Sequence, residues 1–189
     1  MGLARKLLTI ASYVVPLNKF YRDLYLALAT LLGLFCGCHT DKESKQLGAL
    51  RVHIEVNPDP AGASQTISVL RSDPVLVTIN REPILTEANV VTAKVIEATG
   101  GFAIEIKFDE NGAWLVEQYS AANPGRHFVI FGQWGEKLNN GRWLAAPIIT
   151  RRITGGKLVF TPDCSREEAD QLALGLNNAT KAIHKNMLK

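Results

Sequence analysis

The sequence predicts an α+β fold, a mainly antiparallel sheet with two helices on one face. Three observations predict it. Leu50–Val56 alternates strictly, with Leu50, Val52, Ile54 and Val56 on one side and Arg51, His53 and Glu55 on the other, as a half-buried strand does. Val90–Ile96 and Phe102–Phe108 are β-rich runs separated by Thr99-Gly100-Gly101, the pattern of a hairpin. Ser165–Thr180 places Ala169, Leu172, Ala173 and Leu176 at i, i+3, i+4 and i+7, and Ser165 and Glu168 stand in capping-box spacing. That segment is an amphipathic helix.

Taken in order, the chain of 189 residues begins with an apolar run, Leu7–Leu17, interrupted by Pro16. A second run, Leu24–Cys38, has no charge and follows Lys19 and Arg22. Crossing a bilayer takes roughly 20 apolar residues, so this run is short for a span and suited to a signal-peptide core. It ends in Phe35-Cys36-Gly37-Cys38, which resembles the lipobox of bacterial lipoproteins. On that reading residues 1–37 are a signal peptide, Cys38 carries lipid, and residues 38–48 are a tether. Two apolar runs before one cleavage site leave two explanations open: a start assigned too far upstream, or a retained membrane segment.

The cut changes the charge. The net charge of +3 resides in Arg5, Lys6, Lys19, Arg22 and Asp23, and the residues from Cys38 onward hold 17 basic and 17 acidic side chains. A nucleic-acid surface needs a clustered basic excess, so the balance argues against nucleic acid as a partner. Cys36 would leave with the signal and Cys38 would be acylated. Cys164 then has no thiol to pair with, and no disulfide framework forms.

Beyond the tether and the first strand, Asn57-Pro-Asp-Pro-Ala-Gly62 is turn chemistry. Thr66–Arg71 and Val75–Ile79 are strands broken by Ser72-Asp73-Pro74, and Thr86 is placed to cap a short helical turn over Glu87–Val91. After the hairpin, Asp109 caps a helix through about Ala121, with Trp114, Leu115 and Tyr119 available to the core; Asn123-Pro124-Gly125 ends it. Arg126–Phe131 is a strand and Gly132–Gly141 a polar, glycine-containing excursion. Trp143–Ile149 suits a sheet edge because of Pro147, and Gly155-Gly156 turns into Lys157–Thr161.

Several of these segments resemble the first periplasmic domain of the SecD protein-export subunit family. They are Glu82-Pro-Ile-Leu-Thr-Glu87 with Ala93, Phe102–Phe108 with Gly112 and Ala113, Asn123–Ile130 with Gly125 and Arg126, Ala146-Pro147-Ile148 with Ile153 and Gly156, and Arg166-Glu-Glu-Ala169 with Leu172-Ala173 and Leu176-Asn177. The resemblance runs from about Leu50 to Ala179. It implies a ferredoxin-like head, residues 99–180, on a smaller β-rich base, residues 49–98, followed by a basic tail, 181–189. It also implies a capacity to bind unfolded or extended chains. In that family the domain hangs from a polytopic membrane protein that uses a proton gradient; here no intramembrane carboxylate is present to do so.

Catalytic chemistry finds no support in the spacing. His39, His53, His127 and His184 are scattered, with His53 and His127 expected on polar strand faces, and no metal site or cofactor is expected. Ser165 fits a cap, and no Gly-x-Ser-x-Gly elbow surrounds it. Glu167-Glu168 and Asp109-Glu110 sit in first turns, where the helix dipole favours carboxylates. Cys164 reads as a half-buried thiol. The expected protein is a non-enzymatic envelope lipoprotein that faces the periplasm and binds a polypeptide or an export or assembly partner. Trp134, Trp143, Arg151 and Arg152 are its candidate binding surface. The alternative is a structural lipoprotein of a fixed envelope complex with no ligand of its own.

Overall fold

The structure, a computed structural model, describes residues 45–187. The predicted signal peptide, Cys38 and most of the tether lie outside the described residues. The α+β class holds, with nine strands and two helices among the described residues and every strand pairing antiparallel. The strands divide among three sheets.

Strand β1 (Leu47–Ile54) is the hub of the first sheet, which runs β4 (Leu85–Thr86), β1, β7 (Phe128–Gly135), β8 (Asn140–Ala145). It begins within the predicted tether because Gly48 lets the strand approach a helix closely; a Cβ there would lie 2.6 Å from the Leu176 amide nitrogen. The second sheet is a ribbon of β2 (Ser64–Val69) and β3 (Val75–Asn80). The third runs β5 (Val90–Ala98), β6 (Gly101–Phe108), β9 (Lys157–Phe160). The β5–β6 hairpin closes at Ala98–Gly101, as the sequence predicts, with Gly100 at φ +84°. That hairpin and the β1–β7 pairing both cross the expected 98/99 boundary between base and head, so strands from either side share sheets.

Both helices start where the sequence places their caps. Asp109 accepts from the Gly112 amide at 2.7 Å, opening α1 (Glu110–Ala122). Ser165 and Glu168 exchange side-chain and backbone bonds at 2.9 and 3.2 Å, opening α2 (Arg166–Met187). Thr86 and Asn89 form the same reciprocal box on a 3₁₀ turn, Glu87–Asn89. Helix α2 runs past Thr180 through most of the expected basic tail.

One core joins the first and third sheets to both helices. Leu50, Val52, Ile54, Ile104, Ile106, Phe128 and Ile130 from the strands meet Val116 of α1 and Ala169, Leu172 and Leu176 of α2. The residues of the family resemblance meet here in space. A Cβ on Gly156 would lie 2.6 Å from the Ala113 Cβ, and one on Gly112 2.9 Å from the Phe108 Cβ, so these glycines seat α1 against β6 and β9. Trp114, expected to reach the core, is 58 % exposed; Val116 fills that place instead, because the buried positions of α1 are 112, 116 and 120.

A second, smaller core lies on the other face of the first sheet, where Val69, Val77 and Ile79 of the ribbon cover Val129. It overturns the expectation of a polar face for His53, which is 4 % exposed and bonds through Nδ1 to the Asn80 carbonyl at 2.8 Å. Gly132–Gly141 is likewise no excursion: it completes β7 and starts β8, and the turn spans only Gly135 to Asn140. No helix among the described residues is long and apolar enough to cross a membrane.

Candidate functional site

The two edges of the third sheet are finished differently. Along β5, side chains of α2 take the place of a neighbouring strand. Asn177 accepts from the Ala93 amide at 2.9 Å and donates to the Ala93 carbonyl at 2.8 Å, and the Thr180 hydroxyl donates to the Val90 carbonyl at 2.9 Å. Left buried and unpaired, each such backbone group would cost about 1–3 kcal/mol.

The edge of β9 has no such cover among the described residues. The Phe108 amide donates to the Gly156 carbonyl at 2.9 Å, so the paired bonds of this antiparallel ladder fall on residues 156, 158 and 160. The amides and carbonyls of Lys157 and Val159 therefore point away from β6. They open on a groove of about 590 Å³ whose other wall is Pro147–Thr154, the connection from β8 to β9.

That wall is held in place by its backbone. The Phe128 amide donates to the Pro147 carbonyl at 3.1 Å, the Ile149 amide to the Arg126 carbonyl at 2.7 Å, and the Ile153 amide to the Ser120 hydroxyl at 2.8 Å. Buried Phe128, Ile149 and Leu158 line the groove, together with Ile148 and Val159, which are 57 % and 49 % exposed. Outward backbone donors and acceptors beside exposed apolar side chains are the parts from which a sheet adds a peptide strand. The four residues of β9 present about 13 Å of such edge.

The charges lining the groove are all positive: Arg151, Arg152 and Lys157. Arg152 is ion-paired with Glu117 of α1. The Lys157 ammonium stands 3.5 Å from Glu105, whose carboxyl is held below the usual range chiefly by a hydrogen bond from Lys94. Arg151 has no ion pair among the described residues. Pairs of this kind stabilise the fold little, and Arg151 is the cation of the groove that meets a ligand without first leaving a carboxylate among the described residues.

Of the predicted binding residues, the structure brings Arg151 and Arg152 together here and places the two tryptophans elsewhere. Trp143 sits on the opposite face of the first sheet, edge-on to Phe131 at 5.1 Å and to His53 at 5.3 Å. Trp134 is 1 % exposed. It follows Phe128 and Ile130 on the core side of β7, and the Arg142 guanidinium closes over its ring at 5.2 Å while bonding Glu168 at 2.6 Å. It cannot touch a partner. Ile148, Val159 and the outward groups of β9 were missed. Val159 alternating with Leu158 and Phe160 was a usable signal for its exposure, but no local pattern tells which strand ends a sheet.

Other chemistry stays quiet. Cys164 lies just before α2, yet burial, reinforced by Glu168, pushes its thiol up to about 11, so it is no activated nucleophile. No cluster of His, Cys, Asp or Glu among the described residues is arranged to hold a metal.

A model of the family described as SecDF, P1 head subdomain, matches residues 61–180. The protein translocase subunit SecDF of Thermus thermophilus is 31 % identical over 102 residues, which are 53 % of this chain and 13 % of that protein. The chain thus corresponds to a small part of that relative. A crystal structure of SecDF in its super-membrane-facing form aligns with a TM-score of 0.50 and 22 % identity, covering 75 % of this chain and 21 % of the other. A structure of SecDF described as a membrane component that enhances protein export also aligns at 0.50 and 22 %, covering 76 % and 70 %. At that identity the structural likeness is one of fold.

Proposed function

The chain belongs to the SecDF P1 head-subdomain family, a fold related to protein export, and from that premise we propose that it is a non-enzymatic envelope protein that receives an extended polypeptide along β9. Lipid on Cys38 holds it to a membrane, facing the periplasm. The observation that supports this reading is the open edge of β9 on a groove that mixes exposed Ile148 and Val159 with the cations Arg151, Arg152 and Lys157. An unfolded segment entering there forms main-chain bonds to Lys157 and Val159, which makes recognition tolerant of sequence. Exposed Ile148 and Val159 add apolar contact, and Arg151 favours chains without a nearby positive charge.

Proline tests the edge directly. Val159→Pro removes an amide that points outward and spares the ladder to β6, a position a strand tolerates; Leu158→Pro removes a ladder bond and serves as the unfolding control. The probe is an end-blocked peptide of alternating threonine and valine, which has no charge, titrated into the whole chain. Val159→Pro is expected to melt like the wild type and to bind at least about tenfold more weakly. Equal binding by the folded Val159→Pro variant defeats the proposal. No binding by either protein favours a structural lipoprotein without a ligand.

A further inference from the structure

A second concavity lies on the far side of the first sheet, where the β2–β3 ribbon meets it. Its volume is about 260 Å³, and it is lined by Arg51, His53, Gln65, Arg81, Pro83, Phe131 and Trp143. We propose that this is a carboxylate-binding pocket for a single terminal residue with an apolar or aromatic side chain.

The charge pattern carries the assignment. Arg71, Arg142, Arg152 and Arg166 each close on a carboxylate. Arg51 and Arg81 do not pair with one among the described residues, and no Asp or Glu lines the pocket. Arg81 spends only its Nε–H, on the Ser64 carbonyl at 3.3 Å, which leaves its two terminal nitrogens to donate. Two guanidinium groups without an acid partner among the described residues, both lining a pocket this small, are matched by one carboxylate, which accepts bidentate bonds.

The remaining lining fits the body of such a ligand. Phe131 and Trp143 meet edge-to-face at 5.1 Å, and His53 stands edge-on to Trp143 at 5.3 Å, giving a fixed aromatic surface. Burial keeps His53 neutral at pH 7, with its Nδ1–H given to the Asn80 carbonyl. The imidazole thus contributes shape, and the charge comes from the two arginines. Gln65 supplies an amide that donates and accepts, as the peptide group next to a terminal carboxylate requires. A cavity of about 260 Å³ lies below the range of ordinary small-molecule pockets, roughly 300–1,000 Å³, which suits one residue rather than a larger ligand.

The decisive pair of probes is N-acetyl-phenylalanine and its amide, which differ only in the carboxylate. Each is titrated into the whole chain, following Trp143 by NMR. The acid is expected to bind and to shift the Trp143 indole, and the amide to bind at least about tenfold more weakly. Arg51→Gln and Arg81→Gln should each reduce binding of the acid about tenfold, and more salt should weaken it. Inorganic phosphate is the competing anion: if it displaces the acid at equal concentration, the pocket reads charge alone and the assignment to a terminal residue fails. Equal affinity for acid and amide, or unchanged binding in the folded Arg51→Gln/Arg81→Gln double variant, overturns the proposal. Because the end-blocked threonine–valine peptide carries no carboxylate, loss of one binding activity leaves the other readable.

Discussion

Replacing Gly175 by alanine tests how α2 is seated on the first sheet. Intrinsic preference says the change should help: alanine is favoured over glycine inside a helix by about 1 kcal/mol. The structure says the opposite. A Cβ at Gly175 would lie 2.4 Å from the carbonyl carbon and oxygen of Leu47 and 2.5 Å from the Gly48 nitrogen, where ordinary contact begins near 3.4 Å. Helix and strand would have to part by about 1 Å, and the atoms in the way are backbone, which no rotamer change relieves. Overpacking of this kind costs typically 1–3 kcal/mol; set against the helical gain, a net loss of up to about 2 kcal/mol is expected, toward the upper end because the clashing atoms are backbone. Equilibrium urea unfolding of the whole chain measures it, as a lower midpoint with an unchanged slope. Gly48→Ala presses the same two backbones apart, so the double variant should lose less than the two single losses added. A midpoint raised by Gly175→Ala would refute the close crossing.

Four further outcomes are expected. Asn177→Ala strips both hydrogen bonds from Ala93 on the β5 edge and should cost about 2–4 kcal/mol in the same unfolding assay. Leu70 holds a left-handed conformation, φ +68°, at a partly exposed site, so Leu70→Asn should stabilise by about 1 kcal/mol, read as a higher unfolding midpoint. Burial lowers the pKa of His53, so the folded state binds its proton less readily than the unfolded chain. The stability this contributes is complete above about pH 6.5 and is lost as pH falls below it toward the folded value; His53→Gln should remove that slope from a pH series of unfolding midpoints. In a variant with Cys36 and Cys38 replaced by serine, Cys164 should react with iodoacetamide at pH 8 about a hundredfold more slowly folded than unfolded, because its thiol is pushed up to about 11.

Much of the architecture was legible because its signals are local. Asp109, Thr86 and Ser165 cap the turns they precede, since a cap acts over three residues. The β5–β6 hairpin closes at the glycines that allow it. The groove was legible in part: Arg151 and Arg152 sit in it, on a connection whose proline and charges mark it as exposed. Trp134 was misread because Gly132 and Gly135 look like loop punctuation. In the fold Gly132 is a strand residue that makes room for Leu144, since a Cβ there would lie 2.6 Å from Leu144 Cδ1, and β7 runs on through Gly135.

Sequence alone determined the class of fold, the helix starts, the hairpin, the alternation of β1 and the family, since each rests on residues close in the chain or on the order of short motifs. Tertiary structure decided which faces and edges meet water. His53 looks outward by alternation, and a ribbon from residues 64–80 covers it. Val159 looks like one more strand residue, and it becomes the rim of a groove because β9 ends its sheet while α2 caps the opposite edge. Arg51 and Arg81 lie thirty positions apart and share a pocket only because β1 and the end of β3 come together. The physical reason is the same in all three. A strand's own pattern fixes the two faces it offers, and the partner that covers one of them arrives from distant sequence whose pairing no local periodicity encodes.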